Sequence, residues 1–222
     1  MNWAKHAWRV LLKDMRTELR GRTALGTLIL FAVVSITAVS YSLGGFGLTT
    51  AVQAALLWIV LFFAAMAGLA RSFVAERETG TDLALRLSAP GSAVYLGKFL
   101  LNLLLLFILD ILVIILFQIL LPLGTLNWTL FMLGLGLGSV ALASSSTLIA
   151  AIVAQTNIRG ALFTVLAFPV LLPALIAGIA ASRKALDSTP LAEATGELQL
   201  LVSYAGIMIT VALMLFDYVW EE

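Results

Sequence analysis

The chain has 222 residues, of which 62% are hydrophobic and 11% charged, with a formal charge of +1. A soluble domain has about 45–50% apolar and about 25% charged residues, so this composition excludes an ordinary water-soluble fold and points to a membrane protein. The absence of Cys excludes disulfides, thiolate metal sites, thiol redox chemistry and covalent haem attachment through Cys-x-x-Cys-His.

The first 22 residues carry two stripes. Trp8, Leu12, Met15 and Leu19 recur at helical spacing, and Lys5, Arg9, Lys13, Arg16 and Arg20 form a second stripe about 100° away. This predicts a helix over 1–22 in the membrane interface, with its apolar stripe in lipid and its basic side chains beside head groups. The alternative is a plain extension of the first span. No short apolar core is followed by an Ala-x-Ala-like site, so the segment is not read as a cleavable signal peptide. His6 is the only histidine. It is read as a surface residue rather than a haem ligand.

Six apolar segments follow, at 24–43, 50–70, 99–121, 128–154, 161–181 and 198–219. Each is long enough for a tilted helix to cross about 30 Å of hydrocarbon, and none alternates as a membrane strand does. The expected fold is all-α: one permease domain over 1–222 with six transmembrane helices, an interfacial amphipathic helix and a short cytoplasmic helix between spans two and three. Eleven of the thirteen Lys and Arg residues fall at 5–22, 71–98 and 159, leaving Arg183 and Lys184 for the other side. The positive-inside rule therefore puts both termini in the cytoplasm.

The connection between spans two and three holds most of the polar signal. Arg71 to Ala75 continues span two, and Thr79-Gly80-Thr81 breaks it. Asp82 stands near the positive end of a new helix. Leu83, Leu85 and Leu87 give that helix an apolar surface, and Pro90-Gly91 ends it. Lys98 marks the return to the head groups. A helix of one to two turns is marginal alone. It packs either on a partner protein or on its own neighbours.

Inside span three, Asp110 costs about 2.5–3.5 kcal/mol at mid-bilayer and must face protein or water. It lines a transport path or pairs between helices. Asn102 and Gln118 are read as lying off its face. In span four, Gly134, Gly138, Ala141 and Ser145 share one face, which suits close helix packing over a substrate groove. Pro169 and Pro173 predict a kink in span five, either fixed or a hinge. No Gly-x-x-x-x-Gly-Lys-Ser/Thr pattern occurs, so no P-loop is expected. No Trp-rich Trp-Asp motif of haem-handling assembly proteins is present either.

Glu76-Arg77-Glu78-Thr79-Gly80-Thr81-Asp82-Leu83, followed by Leu87-Ser88-Ala89-Pro90, resembles the first cytoplasmic loop of ABC-2-type transporter permeases. There a coupling helix enters a groove on a separate ATPase. Within that group the chain is most similar to the CcmB family, haem exporter protein B of cytochrome c maturation. Phe73, Glu76, Gly80, Thr81, Leu83 and Lys98 follow the family's loop order. Asn157-Ile158-Arg159-Gly160 matches its basic-Gly link between spans four and five, and Pro169 and Pro173 match span five.

The resemblance implies a permease without a nucleotide site, metal or cofactor of its own. ATP and Mg would be bound by a CcmA-like ATPase subunit. It also implies a second copy of the chain, CcmC- and CcmD-like membrane partners, a bacterial inner-membrane location and no nucleic acid. The implied coupling residues are Glu76, Arg77, Glu78, Gly80, Thr81, Asp82, Leu83, Leu87 and Pro90, with Asn157, Arg159 and Gly160 forming a second cytoplasmic link. The wording Glu-Arg-Glu-Thr-Gly-Thr is also close to general ABC-2 exporters of drugs, lipids or polysaccharides. That reading stays open, as does a membrane assembly factor with no ATPase.

Overall fold

The computed structural model describes residues 3–44, 47–69, 73, 76, 80, 85, 89–154 and 159–221, with the backbone alone at 159–164 and 217–221. Among them are seven α-helices and no strand: α1 Trp3–Gly21, α2 Thr23–Leu43, α3 Thr50–Leu69, α4 Gly91–Leu120, α5 Trp128–Ala154, α6 Arg159–Leu186 and α7 Thr195–Glu221. A 3-10 turn, Leu191–Ala194, precedes α7. The six helices α2 to α7 are long and apolar enough to cross a bilayer.

Three of these helices outrun their apolar segments. α4 begins at Gly91 rather than 99, α6 runs to Leu186 rather than 181, and α7 begins at Thr195 rather than 198. Hydropathy marks only the part of a helix that lipid touches, whereas backbone hydrogen bonding continues through polar turns. The start of α4 follows from Pro90. Its φ of −65° and ψ of 148° set the chain at the helix entrance, and its carbonyl accepts from the Ala93 and Val94 amides at 3.0 and 3.2 Å.

Contacts at the two ends show that the helices alternate up and down. At one end Ser40 donates to the Leu120 carbonyl (3.0 Å), Gln53 to the Pro122 carbonyl (3.3 Å) and the Asn127 amide to the Ala185 carbonyl (2.8 Å). At the other end Trp3 donates to Ser92 (3.0 Å), and Phe73 meets Phe216 of α7 with ring centroids 5.7 Å apart. The described parts of α1, the α3–α4 connection and the end of α7 therefore share one end. α1 turns into α2 at Arg22, whose φ of 51° is left-handed. The Glu18 carboxylate accepts from the Leu25 amide at 2.9 Å and caps the first turn of α2.

α5 is the central post. It touches α3, α4, α6 and α7, and 83% of its span is buried against 17% for α2 and α7. Its small residues explain this position. Trp58 of α3 is fully buried and inserts between α5 and α6. A Cβ built on Gly138 would lie 1.9 Å from the indole, and one on Gly178 2.4 Å from it. The Trp58 Nε1 donates to Ser182 at 2.8 Å. Ala141 packs with Ala174, Ala177, Leu201 and Ala205 of α6 and α7, and Ser145 donates to Tyr204 at 3.2 Å. The Gly134–Ser145 face therefore serves helix packing.

Candidate functional site

The site starts from the ends of α3 and α4 and the connection between them. Phe73, Glu76, Leu85 and Ala89 are all buried, whereas Gly80 is exposed with φ 67°. That left-handed backbone suits glycine; Thr79 and Thr81, the other residues of the expected chain break, lie outside the described residues. The Ala89 amide bonds the Leu85 carbonyl at 3.2 Å, one helical turn back, and Leu85 joins the main hydrophobic core. Pro90 caps α4. Arg77, Glu78, Thr81, Asp82, Leu83, Leu87 and Asn157 lie outside the described residues. Arg159 and Gly160 open α6, described by their backbone alone.

Glu76 is turned into the protein, where it completes a cluster of four charges with Lys13, Asp14 and Lys98. Lys98 Nζ lies 3.1 Å from Glu76 Oε2 and 3.1 Å from Asp14 Oδ2. Lys13 Nζ lies 3.0 Å from Asp14 Oδ1 and also pairs with Glu76 Oε1. Each ammonium thus touches both carboxylates. Lys98 is only 2% exposed, and its Nζ stands 4.7 Å from the centroid of the Phe73 ring, a cation–π contact. Burial lowers the Lys13 ammonium's proton affinity, but Asp14 and Glu76 outweigh it, and the group titrates above its ordinary range.

Lys98 is therefore not a head-group marker. Because α4 starts at Gly91, Lys98 lies two turns inside the helix, facing α1. Burial decides what such a contact is worth. The exposed Arg183–Asp187 pair, at 3.8 Å, belongs to a class worth about 0–1 kcal/mol. Removing one partner from a buried pair costs about 3–5 kcal/mol, because a charge is left uncompensated.

α1 can reach this cluster because of its third face. Ala7, Val10 and Asp14 are buried, whereas Trp8 and Leu19 of the apolar stripe are exposed at 58% and 63%. Trp8 and Leu19 are free for lipid, whereas Met15 of the same stripe packs against the core, and the face between that stripe and the basic stripe on the far side of the helix packs on α4. Gly97 makes the approach close. A Cβ there would lie 2.7 Å from Val10 Cβ and 2.8 Å from the Ala7 carbonyl oxygen.

Further along α4, Asp110 is buried and its Oδ2 accepts from Ser139 of α5 at 2.6 Å. Its Oδ1 has no hydrogen-bond partner among the described residues. Asn102 donates to Thr147 at 2.8 Å, and Tyr95 donates to the Ser144 carbonyl at 3.2 Å. Asn102 and Asp110 therefore both face α5, contrary to the expectation that they part. The buried face of α4 is wide enough to hold both across an 80° step. In α6, Pro169 and Pro173 lie within a continuous helix. Pro173 lacks the N–H for the turn before it, and the nearby Val170 carbonyl accepts from Tyr204.

The residues that the sequence did not single out are Asp14, Trp58, Gly97 and Ser182. A signal for Asp14 existed: it completes an i, i+3, i+7 row with the small apolar residues Ala7 and Val10. No residue set among the described ones clusters as a metal site.

A family model described as CcmB protein matches residues 5–218 of the chain. No curated protein is similar enough to count as a match.

Proposed function

Since the chain belongs to the CcmB family, the permease component of haem export in cytochrome c maturation, we propose that it is the multi-pass membrane subunit on which a separate CcmA-like ATPase acts. In this reading the chain pairs with a second copy of itself and works beside CcmC- and CcmD-like proteins in the bacterial inner membrane. ATP and Mg belong to the ATPase. Both termini face the cytoplasm, and so does the α3–α4 connection, which takes the push of ATPase closure and tilts α3 and α4.

The single observation behind the coupling reading is the anchoring of that connection. Glu76 and Leu85 hold it to the bundle from within, while Gly80 is exposed. In sequence, Leu83 and Leu87 stand two positions either side of Leu85, and two helical steps amount to about 200°. We assign those two leucines, set apart from Leu85 by that step, to the apolar surface that an ATPase groove takes. A loop anchored at its base and open at its tip can be gripped without unfolding.

Capture of the ATPase by tagged protein from native membranes tests this. Leu83→Asp and Leu87→Asp are expected to cut capture at least tenfold while membrane insertion stays intact. Normal capture by both variants would sink the assignment of this surface. Absence of any ATPase with the wild-type chain would sink the coupling reading itself.

A further inference from the structure

We propose that Lys98 is a positioning residue for coupling: it locks α1, the connection at Glu76 and the head of α4 into one rigid unit, so that α1 moves with the loop. The inference rests on the coupling reading above and names the part of the chain that receives the push. Three segments far apart in sequence meet at one ammonium. Its Nζ is 3.1 Å from Asp14 of α1 and 3.1 Å from Glu76. Lys13 closes the ring by bridging the same two carboxylates, so displacing any one segment separates opposite charges in a buried site. The Phe73 ring, 4.7 Å from Lys98 Nζ, closes another side.

The neighbouring packing removes slack. Gly97 lets the α1 backbone rest directly on α4, and Trp3 adds a second tie to Ser92 at 3.0 Å. α1 packs mainly on α4 and scarcely touches α2, the helix that follows it in the chain. The left-handed corner at Arg22 separates α1 from α2. α1 is thus mechanically part of α4 rather than of α2. A load on the connection reaches α1 through Glu76 and Lys98 without crossing the bundle.

The test uses the assembled complex in lipid nanodiscs. The chain has no Cys, so two spin labels can be attached at exposed positions 16 of α1 and 104 of α4, on a labelled chain diluted with unlabelled copies so that the distance read lies within one chain. The wild-type chain should give one narrow distance. In Lys98→Met the distribution should broaden and cytochrome c maturation should fall at least tenfold, while ATPase capture stays within about twofold of wild type. Glu76→Gln, which preserves shape, should broaden the distance distribution in the same way. The double variant should be no worse than Lys98→Met alone, because both act on one unit.

An unchanged distance or unchanged maturation in Lys98→Met overturns the proposal. So does loss of capture in step with maturation, because Lys98 would then only fold the loop. If neither Lys98→Met nor Glu76→Gln accumulates in the membrane, the cluster is a folding element and the proposal is wrong. Failure of wild-type capture overturns the coupling reading, whereas an unchanged distance overturns the rigid unit alone.

Discussion

Asp110 receives one hydrogen bond, from Ser139, and its second oxygen has no partner among the described residues. Interhelical hydrogen bonds in membranes contribute about 0.6 kcal/mol on average and up to about 1.7 kcal/mol. If Asp110 serves as half of such a bond, Asp110→Asn should keep near-wild-type thermal stability in detergent and near-wild-type maturation. Asp110→Leu should lose up to about 1.7 kcal/mol, since it removes the acceptor. Equal loss of maturation in both variants would point to the charge instead. The residue itself was legible in the sequence, because a lone carboxylate in an apolar run is conspicuous. Its partner was not, because Ser139 is one of many hydroxyls on α5 and only the helix register selects it. Lys98 shows the same limit more sharply. Read along the chain it was a boundary residue, and only its distance to Asp14, 84 positions away, reveals a buried pair.

At the scale of helices, α5 carries glycines with opposite duties. Gly138 has no room for a Cβ, which would meet Trp58 at 1.9 Å, whereas a Cβ on Gly136 would meet nothing within 4 Å. Gly138→Ala should displace Trp58, break its bond to Ser182 and destabilise the bundle by about 1–3 kcal/mol. Gly136→Ala should be neutral or stabilising by up to about 1 kcal/mol, the ordinary helix preference for Ala. Melting of the two purified variants in one detergent compares them directly. Similar melting temperatures would mean that Trp58 repacks without penalty. The small-residue stripe that includes Gly138 was readable by its spacing, and close packing was the right inference from it. That the partner is a tryptophan from α3 was not readable, since spacing describes only one side of a contact. α1 follows the same logic. Its lipid and basic stripes were visible as periodicities, but the Ala7–Val10–Asp14 face looks unremarkable until Gly97 and Lys98 stand opposite it.

For the whole molecule, the six spans were legible because hydrocarbon demands long apolar helices, and the alternation of their ends follows from the connections. Which end faces the cytoplasm depends on charge. In the sequence, eleven of the thirteen basic residues fall within 5–22, 71–98 and at 159, and only Arg183 and Lys184 fall elsewhere; cytoplasmic retention of Lys and Arg sets orientation. One of the eleven, Lys98, is buried against Asp14 and Glu76. Ten remain even when it is set aside, so the bias does not hang on that residue. A direct measurement is available because native thiols are absent. Gly80→Cys and Ser188→Cys place single thiols at exposed positions. Both have left-handed backbones, φ 67° and 57°, which costs a side chain at position 80 about 1–2 kcal/mol but leaves it in open space. In intact cells with a permeable outer membrane, an impermeant maleimide should label the Ser188→Cys variant and spare the Gly80→Cys variant. In inverted membrane vesicles the pattern should reverse. Labelling of the thiol at position 80 from outside would turn the protein over in the membrane, and with it remove the α3–α4 connection from the reach of any cytoplasmic ATPase.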